Sequence, residues 1–258
     1  MPNIDRDGAS LWYTVDGRDD APPLLLIHSL ATTHELWAQQ MPALAARHRV
    51  IRYDVRGHGR STMPIGECTI EQMGRDALAV LDAAGVARAH VAGVSLGGLT
   101  AIWLAERAGE RVHRLVLANT AARIGTSDTW SARIRVVREG GMAVAADLAI
   151  PRWFTDGYRE NHADVMAAYR AMVLACPLES YVSACSALRE ADLRAELSRI
   201  TAQTLIVAGR EDRSTPPADS EILRDNIPDA HLELLDAAHL ANVERGEEFT
   251  ELVVDFLA

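Results

Sequence analysis

A mostly parallel α/β sheet, with helices on both faces and a helical insertion above one end, is the architecture that this 258-residue sequence predicts. Three observations carry the prediction. Short apolar runs alternate with amphipathic helical patterns, as they do where parallel strands are buried on both faces. The rhythm stops between residues 122 and 195, where an Ala- and Arg-rich stretch keeps helical periodicity and contains no strand-like run. Between a strand pattern and a helix pattern stands Gly93-Val94-Ser95-Leu96-Gly97, a turn too tight for a Cβ at either glycine.

Taken in order, residues 11–15 alternate and run into Asp16-Gly17, as in an antiparallel hairpin at a sheet edge. Buried strands are expected at 24–27, 50–53, 90–94, 115–118, 204–208 and 232–235. Helices fit 34–47, 69–84, 97–108, 217–226 and 242–257. A core domain of residues 1–121 and 196–258 follows, with residues 122–195 as a helical cap inserted after the sixth sheet strand. The bland alternative packs those extra helices on the flank of the sheet.

Composition narrows the class. Hydrophobic residues make up 48% and charged residues 24%, which is ordinary for a globular protein with a full core. A net charge of −10 argues against nucleic acid or an anionic membrane as partner, since both are bound by basic patches. Cys68, Cys176 and Cys185 form no metal-ligand spacing and cannot all pair, so they read as reduced thiols of a cytoplasmic protein. The N-terminus lacks a signal-like segment, and no apolar run approaches membrane-spanning length.

The turn at Ser95 carries the chemistry. It pushes the hydroxyl over the C-terminal end of the sheet, where the following helix aims unpaired N–H groups. A serine hydroxyl needs a base, and the base needs an orienting acid, in the chain order Ser, Asp or Glu, His for folds of this kind. Of the histidines, His231 and His239 lie late enough. His231 opens a strand at the wrong end of the sheet, whereas His239 follows that strand in a loop, so His239 is the expected base. Asp212, three residues past Gly209 at a strand end, is the expected acid, with Glu211 as the neighbouring candidate. Thr215 looks better placed than Asp212 to cap the next helix. The oxyanion needs two N–H donors. Leu96 supplies one, and the loop His28-Ser29-Leu30 the other, with Leu30 favoured over Ser29. The segment Asp54-Val55-Arg56-Gly57-His58-Gly59-Arg60-Ser61 reads as a tied-down structural loop.

Several stretches together resemble the 3-oxoadipate enol-lactonases of the β-ketoadipate pathway: residues 52–59, 69–72, 95–98, 119–126 and 238–244. The likeness spans nearly the whole chain. Residues 119–126 with Trp130 are its most particular part, since the serine turn and triad are common to the whole α/β-hydrolase superfamily. At the oxyanion loop the sequence departs, with His28 and Ala31 where Asn and Gly are expected. The resemblance implies the α/β-hydrolase fold, no metal or organic cofactor, and a small five-membered enol-lactone substrate carrying a carboxymethyl group. Such a substrate wants a cation. In the cap, Trp130, Arg133, Ile134 and Val137 share one helix face, so Trp130 and Arg133 are candidate substrate-binding residues, with Arg123 in reserve. Equally, Arg133 fits a half-buried edge residue with its head in water. Rival readings keep the triad for a general carboxylesterase or a C–C bond hydrolase, or make the chain a hydrolase-like receptor. A neutral cap pocket favours the esterase, and an aryl-ester assay identifies the receptor.

Overall fold

Strand β1 (Asn3–Arg6) turns through Asp7-Gly8, both at positive φ, into β2 (Ala9–Asp16), which lies antiparallel to it. The edge hairpin expected around residues 11–15 therefore closes before the strand and not at Asp16-Gly17. β1 has an alternating pattern with no buried residue, too polar to stand out in the sequence. Then come β3 (Pro23–Ile27), α1 (Met41–Ala45), β4 (Arg49–Tyr53), α2 (Ile70–Ala83), β5 (Ala89–Val94), α3 (Leu96–Arg107) and β6 (Val112–Ala118). Four helices follow before the sheet resumes: α4 (Ser127–Trp153), α5 (Asp156–Asn161), α6 (Ala163–Ala175) and α7 (Leu178–Glu190). The chain ends with β7 (Gln203–Gly209), α8 (Pro217–Asn226), β8 (Ala230–Leu235), α9 (Ala241–Glu244) and α10 (Gly246–Leu257). The structure, a computed structural model, describes residues 3–258.

Eight strands form one sheet in the order β1-β2-β4-β3-β5-β6-β7-β8, parallel from β4 to β8. After β3 the chain goes to one side for β4 and returns to the other for β5. Ile27 and Gly93 are register partners across that switch, so the loops leaving β3 and β5 meet at the strand ends. Crevices at such a switch point are where open α/β sheets bind ligands.

Two helices are shorter than the periodicity suggests. Residues 34–47 divide into a 3-10 turn, His34–Trp37, and α1, because Pro42 sits in the first turn of α1 and cannot extend a preceding helix. Residues 242–257 break at Arg245 (φ −123°, ψ 49°) between α9 and α10. By contrast, α2 begins with a full capping box between Thr69 and Gln72, and α8 matches its expected bounds.

The insertion leaves and rejoins the core at one point, where the Leu193 N–H donates to the Ala122 carbonyl at 2.8 Å. Within α4, Gly141 takes φ 73°, ψ −173°, so two helical arms meet there at a kink. No single helix among the described residues is long and apolar enough to cross a membrane.

On the flank, Glu106 of α3 is partly buried, and neither carboxylate oxygen has a hydrogen-bond partner among the described residues. Burial, helped by nearby Glu196 and opposed by Arg107 and Arg199, pushes its carboxyl up to about 7. The folded pKa lies above the unfolded one, so folding is penalised once pH rises past the unfolded value near 4.5, and fully above about 7. Glu106→Met should therefore raise the melting temperature more at pH 8 than at pH 4.5. Equal shifts at both pH values would mean that ionisation of Glu106 is not the cause.

Candidate active site

Ser95 follows β5 directly and begins α3 with φ 56° and ψ −115°, a backbone strain that a non-glycine residue rarely carries. A Cβ on Gly93 would lie 2.2 Å from the Gly97 carbonyl oxygen, and one on Gly97 would lie 2.3 Å from that of Ile27. Both contacts are forbidden, which is why this turn admits only glycine on either side of Ser95. Strand β5 and helix α3 thus cross at backbone contact and leave the hydroxyl at the sheet's C-terminal end.

His239 lies in the loop after β8, and its Nε2 is 2.9 Å from Ser95 Oγ. Its Nδ1 is 2.8 Å from Asp212 Oδ2. All three side chains are buried. Glu211 is exposed and Asp212 takes the inward position. His231 stands exposed near the opposite end of β8.

Asp212 is held from several sides. Its Oδ1 accepts the Ser214 and Thr215 N–H groups at 2.7 and 3.0 Å, and its Oδ2 accepts from Thr215 Oγ1 at 2.7 Å and Asn119 Nδ2 at 3.0 Å. Burial opposes ionisation, but the neighbouring His239 and these donors outweigh it and hold the carboxyl below its ordinary value. Thr215 does not cap α8 as the sequence suggested. Its hydroxyl serves Asp212, and Pro216 precedes the helix without a side-chain cap. Asn119, at φ 44° on the end of β6, also donates to the Ala238 carbonyl and so ties the acid loop to the histidine loop.

The loop after β3 places Ser29 and Leu30 against the same cavity as Ser95. Ala31, where glycine was expected, takes φ 57°, so an alanine bears a left-handed conformation here. His28 is fixed as a structural residue: its Nε2 accepts the Val55 N–H at 2.8 Å, and burial drops its pKa to about 3, so it stays neutral. The segment after β4 is equally tied down. Asp54 accepts from His34 and Arg60, and Arg56 forms a two-point pair with Asp76 at 2.6 and 2.7 Å. Leu96 N–H is first in α3 and has no partner within the helix.

Above Ser95 and His239 lies a cavity of about 480 Å³, roofed by α4 and α7. On α4, Ile134 and Val137 are buried, while Trp130 and Arg133 are partly exposed and line the cavity. The Trp130 indole N–H donates to the Ile124 carbonyl at 2.6 Å, and Arg133 Nη1 donates to Tyr181 Oη at 3.2 Å. Arg152 and Arg213 also line the cavity, and among the described residues no Asp or Glu does. In a chain of net charge −10 this is a local reversal of sign. The neutral pocket that would favour an esterase is absent from this site. Arg123 is engaged elsewhere, 3.4 Å from Asp192.

Sequence reasoning missed Asn119, Thr215, Arg152 and Glu244. Glu244 accepts the Ala238 N–H at 3.0 Å and the Thr155 hydroxyl, and so joins the histidine loop to the insertion. For Arg152 a signal was present: the Gly140-Gly141 pair marks a break in α4, and both arms line the same cavity.

A parallel sheet with a serine at the turn between β5 and α3, beneath a helical insertion, defines the class of α/β hydrolases. The alpha/beta hydrolase fold family model matches residues 22–246, and the chain belongs to that family. Within it the chain resembles 3-oxoadipate enol-lactonases. It is 39% identical to 3-oxoadipate enol-lactonase 2 of Acinetobacter baylyi, over 95% of this chain and 91% of that one. Identity to 3-oxoadipate enol-lactonase 1 of the same organism is 36%, over 98% and 94%. The crystal structure of the enol-lactonase from Burkholderia xenovorans LB400 superposes with a TM-score of 0.97 at 42% identity, covering 99% of both chains.

Proposed function

We propose that this protein hydrolyses 3-oxoadipate enol-lactone to 3-oxoadipate, with Ser95, His239 and Asp212 as its catalytic triad. The observation that carries the reading is a cavity directly over Ser95 lined by three arginines and, among the described residues, no acid, in a chain with two relatives named for this lactone. The substrate is a small carboxylate-bearing lactone, and the residues give no reason to invoke a cofactor, nucleic acid or membrane.

His239 Nε2 takes the Ser95 proton as Oγ attacks the lactone carbonyl. The N–H groups of Leu96 and Leu30 hold the resulting oxyanion. Collapse breaks the ring C–O bond and expels an enolate, a good leaving group. The imidazolium returns its proton to that fragment, which settles as the ketone. Water, deprotonated by His239, then attacks the acyl-enzyme and releases 3-oxoadipate with Ser95 restored. Throughout, Asp212 fixes the imidazole tautomer and stabilises its charged form. Residues 122–195 act as a cap domain that shapes the pocket and shields it from water. The buried, unpaired cysteines support a cytoplasmic setting.

Arg133 is assigned to the substrate carboxylate, oriented by Tyr181 and stacked 5.7 Å from the Trp130 ring. A charge-assisted pair of this kind is worth on the order of 1.5–3 kcal/mol. Arg133→Leu should therefore lower the kcat/KM for the enol-lactone relative to a neutral aryl ester of similar size by roughly ten- to a hundredfold. Wild-type preference for the neutral ester would overturn the proposed substrate. Equal losses on both substrates would assign Arg133 to the fold of the cap.

A further inference from the structure

Arg152 stands 19 residues after Arg133 on the same continuous helical stretch. A straight helix would part them by about 28 Å. The kink at Gly141 folds the second arm back, so that both guanidinium groups line the cavity over Ser95. Neither has a carboxylate within ion-pair distance among the described residues. Arg152 is exposed at the cavity mouth, yet desolvation by the atoms around it, and then the charge of Arg133, hold its guanidinium below its ordinary value. Two like charges facing one cavity without a counter-ion are an arrangement that an anion relieves.

We propose that Arg152 is the second arm of a two-point carboxylate clamp with Arg133, and that it determines specificity for anionic substrates. The inference rests on the enol-lactonase reading but goes beyond it, because it assigns a residue that neither motif nor helix face singles out. Its position also links recognition to the site of chemistry. The next residue, Trp153, accepts the Leu240 N–H on its carbonyl at 3.0 Å, and Leu240 follows His239. A carboxylate drawing on Arg152 therefore pulls on the arm of α4 that holds the histidine loop. Arg152 is a binding residue, and its effect on the histidine is one of positioning.

The test uses the whole chain and two substrates, the enol-lactone and a neutral aryl ester, with adipate as a dicarboxylate inhibitor. For Arg152→Leu the ratio of kcat/KM between lactone and ester should fall ten- to a hundredfold, and the adipate inhibition constant should rise by a similar factor. Arg152→Lys should recover part of the loss. Because both arginines hold one carboxylate, Arg133→Leu/Arg152→Leu should lose less than the product of the single losses. An unchanged ratio and inhibition constant in Arg152→Leu, with the lactone turned over normally by the parent, would overturn the clamp. So would equal losses on both substrates together with a lower melting temperature, which mark a structural arginine. A parent that does not turn over the lactone yet is inhibited by adipate through Arg152 would overturn the substrate and leave the clamp standing.

Discussion

Ser95→Ala is expected to lower turnover by about 10⁶-fold, the usual cost of losing the nucleophile of such a constellation. The only group removed is the hydroxyl that lies 2.9 Å from His239 Nε2. The strained backbone at φ 56° is imposed by the crossing of β5 and α3, and alanine adopts it as serine does. Folding should therefore survive, with a melting temperature within a few degrees of the parent. Asp212 still holds the imidazole, so the pocket keeps its form and binds inhibitors as before. The measurement is single-turnover hydrolysis alongside a thermal melt. Activity within tenfold of the parent, with the fold intact, would sink the assignment of Ser95.

Asp212→Asn should cost about 10⁴-fold in kcat. The carboxylate accepts from His239 Nδ1, and so leaves Nε2 free to receive the Ser95 proton. An amide in its place can present its NH2 to Nδ1, which moves the imidazole proton to Nε2 and points it at Ser95. The Ser214 and Thr215 N–H groups, which donate to Oδ1, favour the orientation that keeps the amide oxygen there and turns the NH2 towards Nδ1. Since Asp212 is held below its ordinary pKa, it stays ionised as pH falls through the usual carboxylate range. An acid limb of the parent's rate profile near pH 4 is thus not expected to come from Asp212. Glu211→Gln is the control and should change little, because that side chain is exposed. A reversed ranking of the two variants would assign the acid to Glu211.

That Ser95, Asp212 and His239 meet was legible in the sequence because chain order and strand ends decide their placement. Strand β5 ends at Val94, β7 at Gly209 and β8 at Leu235, and each deposits its loop at one end of the sheet. What stayed hidden depends on side chains meeting across distant loops. Asn119 entered the sequence reading only as the start of the stretch 119–126, with no role of its own, yet its amide joins Asp212 to Ala238. Thr215 read as a helix cap because local spacing alone cannot show that Asp212 competes for its hydroxyl. Arg133 stood out by helical periodicity, but that same periodicity hid Arg152, since the kink at Gly141 resets the phase of the helix. The polar strand β1 was missed for another reason: it pairs with the sheet through its backbone, and its side chains carry no burial signal.

The hydrogen bond between Leu193 and Ala122 has a consequence for how this chain could be diversified. An insertion whose two ends coincide can be exchanged for another without altering the distance its anchors must span, and loop closure then costs the sheet nothing new. A transplanted roof would bring its own pocket lining and hence its own substrate range, set over an unchanged nucleophile. At the histidine loop the graft would have to reproduce an acceptor for the Leu240 amide, now the Trp153 carbonyl, and a partner for Glu244, now Thr155. Modularity in this molecule is thus limited where the roof touches the histidine loop, and again where Arg189 reaches Glu67 on the segment before α2.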